Sequence, residues 1–125
     1  MTTMTQTVSL IAQDPKLLTL EDIKAIVAEA KSQARKAALA HIEQYGEQFY
    51  CGFAWVNIYG VKGNTKLGKL FKAAGVQQDY SKAFSIWNPS DLGTQCMSTK
   101  EAGAQAAADV FTRYGFRAYM GSRAD

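Results

Sequence analysis

The run from Phe49 to Tyr59, Phe-Tyr-Cys-Gly-Phe-Ala-Trp-Val-Asn-Ile-Tyr, carries no charged side chain and is dense in aromatic and β-branched residues. Its composition is that of a strand buried on both faces, around which the rest of a small sheet must be built. Strand alternation places Phe49, Cys51, Phe53, Trp55, Asn57 and Tyr59 on one side and Tyr50, Gly52, Ala54, Val56 and Ile58 on the other. The second side is small near its start, so a helix can approach closely there. The first side is aromatic and contains a single amide, Asn57. Gly60-Val61-Lys62-Gly63-Asn64-Thr65 follows, a glycine-containing turn that opens a lysine-rich helix. A strand, such a turn and a helix N-terminus form an anion-binding corner, because unpaired N–H groups and the helix dipole converge there.

Helical periods flank this strand. Thr19 is an N-cap with Glu21 and Asp22 in the first turn, and it launches a long helix that Gly46 stops. The apolar stripe of this helix is Ile23, Ile26, Val27, Ala30, Ala34, Ala37, Ala38, Ile42 and Tyr45. At 1.5 Å per residue it approaches roughly 40 Å, more than a three-stranded sheet can cover. Its alanine-rich middle suits close helix–helix approach, so it is expected to pack partly on the sheet and partly on a second copy, giving a homo-oligomer through residues 19–45. A second helix starts at Asn64 or Thr65 and ends before Gly75, burying Leu67, Leu70, Phe71 and Ala74 and turning Lys62, Lys66, Lys69 and Lys72 outward.

A polar turn over residues 77–82 leads to the second strand, Ala83 to Asn88, which Pro89 ends because proline cannot donate to a ladder. After a loop, Ser98-Thr99-Lys100-Glu101 has the pattern of a capping box. It opens a helix of small residues that widens into Val110, Phe111 and Tyr114 and stops at Gly115. Phe116 to Met120 is the third strand, and Gly121 to Asp125 the tail. Residues 1–18 form a Thr/Gln/Ser-rich arm whose Val8, Leu10 and Ile11 suit either an edge strand or a loose segment. The expected architecture is one α/β domain over residues 19–125, with a small three-stranded sheet in the order α-β-α-β-α-β. Each β-α-β step is open to a right-handed parallel crossover or an antiparallel arrangement.

The length of 125 residues suffices for one core without disulfides. No apolar run approaches the roughly 20 residues of a membrane span. The start, Met1-Thr2-Thr3-Met4-Thr5, has neither the basic nor the apolar region of a secretion signal, so a cytoplasmic protein is expected. Cys51 and Cys96 form no metal-type cluster and are expected to be thiols. The net charge is +3, and residues 49–90 hold five lysines against Asp79 while the other segments nearly balance. That surplus reads either as a solvated lysine face or as attraction for an anionic ligand.

Catalysis has little support in these residues. His41 sits inside the long helix with no cysteine or carboxylate motif beside it. Cys51 reads as a small strand hydrophobe. Cys96 precedes a helix N-terminus, where a thiolate is favoured, but a nucleophile there needs His41 brought to it by the fold. Ser98 is accounted for by capping, and no carboxylate cluster suggests Mg²⁺ or Zn²⁺. No metal or cofactor is therefore expected. Binding has more support. Trp55, Tyr59 and Trp87 offer rings for stacking, Asn57 and Asn88 offer amides, and Lys62, Asn64, Thr65 and Lys66 surround the corner. A nucleotide needs these three chemistries together. The plainer account makes the tryptophans core and spends each amide on neighbouring backbone. Should the corner face featureless solvent, Arg113, Arg117 and Arg123 at a subunit boundary are the next candidates.

The expected function is non-catalytic binding of a small anionic, nucleotide-derived ligand. The alternatives are a nucleic-acid module whose Lys62/Lys66/Lys69/Lys72 stripe lies along phosphates, or an inhibitor of a host protein by surface contact. The Phe49–Asn57 block, the Asn88-Pro89-Ser90 corner, the Ser98–Ala104 helix start and the Gly121-to-Asp125 ending together resemble small proteins encoded by tailed bacteriophages, over roughly residues 20–125. The resemblance implies a host-cell cytoplasmic setting and an anti-defence role, with a host signalling nucleotide sequestered in an oligomer.

Overall fold

Helix α1, Leu20–Tyr45, is fixed by its ends. Asp22 N–H donates to Thr19 Oγ1 at 3.2 Å and Thr19 N–H donates to Asp22 Oδ2 at 2.9 Å, a reciprocal capping box. Gly46, at φ 69°, ends the helix with its N–H on the Ile42 carbonyl at 2.7 Å. The remaining elements are β1 (Gly52–Tyr59), α2 (Lys66–Ala73), β2 (Gln77–Gln78), β3 (Phe84–Trp87), α3 (Met97–Arg113) and β4 (Arg117–Ala124). These come from a computed structural model that describes residues 18–47, 50–78 and 82–124. Apart from Leu18, which is buried in the core, the expected N-terminal arm lies outside the described residues, as does Phe49.

Among the described residues the sheet has four strands in the order β2-β3-β1-β4, and every hydrogen-bonded pair is antiparallel. Three strands were expected; the fourth is Gln77–Gln78, where a turn was expected, and it pairs with Ser85 and Phe84 at the sheet edge. Both helical crossovers do return the chain in its original direction, β1 to β2 and β3 to β4. Each skips one place, however, and an antiparallel strand fills the gap, β3 in one case and β1 in the other.

Only one face of the central strand is closed. Gly52, Ala54, Val56 and Ile58 are buried, and register places Ile86, Phe84 and Ala118 beside them. Helix α3 packs on β1 and β4 over this face, and α1 packs chiefly on α3. The small start of β1 serves as expected, since a Cβ on Gly52 would collide with the Met97 side chain. Phe71 anchors α2 to this core, with ring centroids 5.3 Å from Phe84 and 5.4 Å from Phe116. The aromatic face of β1, expected to be buried, is left partly open: Phe53, Trp55 and Asn57 are half-buried and Tyr59 is exposed, and α3 reaches it at Phe53, where the Lys100 ammonium lies 5.2 Å over the ring.

Helix α1 also departs from expectation. Ala30, Ala34 and Ala38 are fully buried, and α3 supplies the facing surface with Gly103, Ala104 and Ala107. A Cβ on Gly103 would lie 3.1 Å from the Ala34 carbonyl oxygen, so the helices approach to backbone contact. Ala30, Ala34 and Ala38 of the stripe are therefore satisfied within one chain, and the large apolar side chains that α1 leaves exposed are Leu39 and Tyr45 towards its C-terminal end.

Two local signals yield to long-range pairing. Helix α3 starts at Met97 with Cys96 as N-cap, not at the Ser98–Glu101 capping box. An antiparallel bridge between Cys51 and Cys96 carries the chain straight into the helix, and Met97 N–H finds the Tyr50 carbonyl at 2.9 Å. Thr99 and Glu101 are then free for other partners, the His41 ring at 3.2 Å and the Ser122 hydroxyl at 2.6 Å. Strand β4 runs through the expected tail to Ala124 because β1 offers it a partner down to Gly52.

Tyr114 seals the α1–α3 contact. Its hydroxyl donates to Glu29 Oε1 at 3.4 Å, and Glu29 also pairs with Arg113 at 3.6 Å. Burial, and then the Glu29 charge, pushes this phenol up to about 12 from 10.0. A folded-state value above the unfolded one favours the fold while the phenol is protonated; that contribution is intact below pH 10 and is lost as pH rises towards 12. Chemical denaturation of the wild type and Tyr114→Phe across that range is expected to show a stability difference that moves against the wild type as pH rises. A constant difference would contradict the buried phenol.

Candidate functional site

Strand β1 ends at Tyr59, and Gly60, at φ 84°, turns the chain sharply towards α2. The turn is then tied to the helix start. Thr65 Oγ1 donates to the Lys62 carbonyl at 2.6 Å and accepts from Gly68 N–H at 3.1 Å. Gly68 is required, since a Cβ there would collide with the Lys62 carbonyl. On the far side, Lys72 Nζ donates to the Gly63 carbonyl at 3.4 Å and Gln78 Nε2 to the Lys82 carbonyl at 2.9 Å. Beside these contacts lies an open cleft of about 700 Å³ lined by Tyr59, Lys62, Asn64, Lys72, Gln78 and Lys82 together with Gly60, Val61, Gly63 and Ala83. Its lining carries three ammonium groups and no carboxylate among the described residues. Such a site attracts an anion and offers amides to orient it.

The uncovered sheet face begins at the same tyrosine. Register sets Tyr59 against Arg117, Asn57 between Ser85 and Tyr119, Trp55 between Trp87 and Gly121, and Phe53 against Arg123. Tyr59 and Tyr119 lie 5.9 Å apart, and the Trp55 and Trp87 rings stack at 4.6 Å. The Trp55 ring lies flat on β4, where a Cβ on Gly121 would come within 2.6 Å of its Nε1. The Arg123 guanidinium sits 5.6 Å over the Phe53 ring. Trp87 is 49% exposed, Tyr119 60% and Tyr59 38%, so their outer surfaces are open to a ligand.

The candidate residues therefore sort into three groups. Tyr59, Lys62 and Asn64 line the cleft. Trp55, Asn57, Trp87, Arg117 and Arg123 share the open face with Tyr59, and neither tryptophan is core. The remainder do not serve as expected. Thr65 spends its hydroxyl on capping, and Lys66 is exposed but does not line the cleft. Asn88 is a turn residue at φ 45°, its amide donating to the Leu92 carbonyl at 3.1 Å and accepting from Ser90 Oγ at 3.2 Å. Arg113 is held by Glu29. Lys82, Gln78 and Tyr119 were not among the sequence candidates; the β2–β3 pairing returns the first two to the turn, and the extension of β4 aligns the third.

His41 meets the Thr99 hydroxyl and, at 4.8 Å, the Tyr45 ring, while Cys96 is 2% exposed and closed to a substrate. Among the described residues no group of His, Cys, Asp and Glu is placed to hold a metal ion, and no helix is long and apolar enough to cross a membrane. No protein-family model matches this chain, and no curated protein or solved structure shows significant similarity to it.

Proposed function

We propose that this protein is a non-catalytic binder of a small anionic, nucleotide-derived ligand. The observation that carries the reading is the double position of Tyr59, which lines the lysine cleft and also stands on the open sheet face beside Tyr119. Phosphates held by Lys62, Lys72 and Lys82 would leave the attached base within reach of these two rings. The ammonium groups act as point charges, and desolvation in a cleft strengthens their attraction. The hydrogen bonds that Lys72 and Gln78 now make go to exposed backbone carbonyls, and water replaces those contacts at little cost. Binding without chemistry acts by withholding the ligand from other receptors, which agrees with a phage anti-defence role in the host cytoplasm. Assembly into a homo-oligomer through α1 belongs to the same proposal, with exposed Leu39 and Tyr45 as the contact.

Isothermal titration of the purified chain with a panel of mono-, di- and cyclic nucleotides tests the reading. Lys72→Ala is expected to weaken the best ligand by about 1.5–3 kcal/mol, the range for a hydrogen bond to a charged group. Its fold should be unaffected, because the side chain is exposed at the end of α2. A panel in which no nucleotide binds, or in which Lys72→Ala binds as the wild type does, would remove the cleft from consideration.

A further inference from the structure

The open sheet face continues well past the cleft, and among the described residues it carries charge of one sign only. Phe53, Trp55, Asn57 and Tyr59 of β1 face Arg117, Tyr119, Gly121 and Arg123 of β4, with Ser85 and Trp87 on the other flank. No carboxylate occurs in that set. Trp55 and Tyr59 are four residues apart, roughly 13 Å along the strand, so the two aromatic pairs cannot serve one base. The Trp55 ring is pinned between Trp87 and Gly121, which makes the tryptophan pair a preformed platform with the outer surface of Trp87 free. An exposed antiparallel sheet with spaced aromatics stacks two or three successive unpaired bases, and flanking arginines follow the backbone. A duplex offers this surface no free base faces.

We infer that the ligand is a single-stranded oligonucleotide that enters through the lysine cleft and lays successive bases on Tyr59/Tyr119 and on Trp87. This rests on the nucleotide reading above and names the class of its ligand. Charge decides between this occupant and a second copy of the chain. An isologous dimer would set this face against itself, bringing Arg117 and Arg123 towards the same arginines of the partner with no carboxylate among the described residues of the face to meet them.

The test is fluorescence anisotropy with labelled eight-nucleotide oligo-dT and oligo-U, a duplex of the same length, and the corresponding mononucleotides. The single strands are expected to bind at least tenfold tighter than both duplex and mononucleotide and to quench tryptophan emission. If all five cations of cleft and face contact phosphates, affinity should fall about a hundredfold between 50 and 200 mM salt. Trp87→Ala and Tyr119→Ala should each weaken binding about five- to a hundredfold. Tyr119 is largely exposed and Trp87 about half, so both variants should remain soluble and unfold cooperatively on heating. Mononucleotides that bind as tightly as oligonucleotides would overturn this inference and leave the proposed function standing. Failure of both classes would remove the two together. Concentration-dependent dimerisation that Trp87→Ala abolishes would overturn the inference by showing that the face joins copies of the chain.

A second inference rests on a separate observation. Cys51 and Cys96 face each other in an isolated antiparallel bridge. Gly52 N–H donates to the Gln95 carbonyl at 3.3 Å and Met97 N–H to the Tyr50 carbonyl at 2.9 Å, which makes the cysteines a non-hydrogen-bonded pair. Cα atoms in such pairs lie about 4.5 Å apart, within the span a disulfide bridges. The geometry points to a redox pair: the thiolate of exposed Cys51 attacks a small-molecule disulfide of the glutathione class and expels one thiol. The Cys96 thiolate then attacks Cys51 Sγ and expels the second, leaving an intramolecular disulfide that ties β1 to the start of α3. Treatment with oxidised glutathione should lower the intact mass by two hydrogens and raise the melting temperature, and Cys96→Ser should stop at a mixed disulfide on Cys51. A wild type that also stops at the mixed disulfide would overturn the pairing.

Discussion

Replacing Ala34 by glutamate is expected to leave the chain unfolded or insoluble, not to release folded monomers. Ala34 is fully buried where α1 meets α3, and the opposing residue is a glycine. A carboxylate there is surrounded by the hydrophobic cluster, and the buried lysine of α3, Lys100, already donates its ammonium to the Gly52 carbonyl. An unpaired buried charge costs about 3–5 kcal/mol, and forcing extra atoms into a close-packed contact costs about 1–3 kcal/mol more. Small domains are stable by only about 5–15 kcal/mol, so the substitution consumes much or all of that margin. Far-UV circular dichroism and soluble yield read the result. Ala28→Glu is the matched control, since Ala28 is exposed on the same helix, away from Leu39 and Tyr45, and its stability cost should stay within about 0.5 kcal/mol. A soluble, folded and monomeric Ala34→Glu protein would mean that the alanine stripe faces another subunit instead of α3.

How far such features can be read in advance depends on whether their cause is local. Helix α1 is legible at both ends, because Thr19, Asp22 and Gly46 act within one turn of themselves. The phase of β1 is legible too, since alternation alone separates Ala54, Val56 and Ile58 from Phe53, Trp55 and Tyr59. Which of those faces is covered is not. Aromatic composition reads as burial, yet here the rings shelter one another in the open, Trp55 on Trp87 and Gly121. The Ser98–Glu101 signal fails because a bridge to a residue 45 positions earlier, Cys51 to Cys96, decides where α3 begins. Gly121 reads as a terminator but is the position that admits the Trp55 ring.

The site divides the same way. Lys62 and Asn64 lie in the turn itself and are legible there, whereas Lys82 arrives through the β2–β3 pairing and only the fold brings it in. Thr65 and Asn88 were legible as polar residues, but capping and turn chemistry claim their side chains first.

Phe71→Ala is expected to lower stability by about 3–5 kcal/mol and to abolish ligand binding, although Phe71 does not line the cleft. Its ring is fully buried among Phe84, Phe111 and Phe116, at centroid distances of 5.3, 6.5 and 5.4 Å. Helix α2 has eight residues, well below the roughly 12–15 at which an isolated helix becomes even marginal, so packing must hold it in place. Phe71 supplies most of that packing, since Leu67 and Leu70 are only partly buried. Detaching α2 would carry away Lys72 and release the Lys62–Thr65 turn that Gly68 N–H fastens, so the cleft would come apart before the rest of the core. In urea, with a slope of about 1–3 kcal/mol per molar, the midpoint should drop by about 2 M. Hydrogen exchange should show the α2 amides opening at lower free energy than those of α3, and nucleotide titration should fail under conditions where the sheet is still protected. A loss below about 1 kcal/mol with α2 amides still protected would show that the lysine cleft is held by its own turn and not by the aromatic core beneath it.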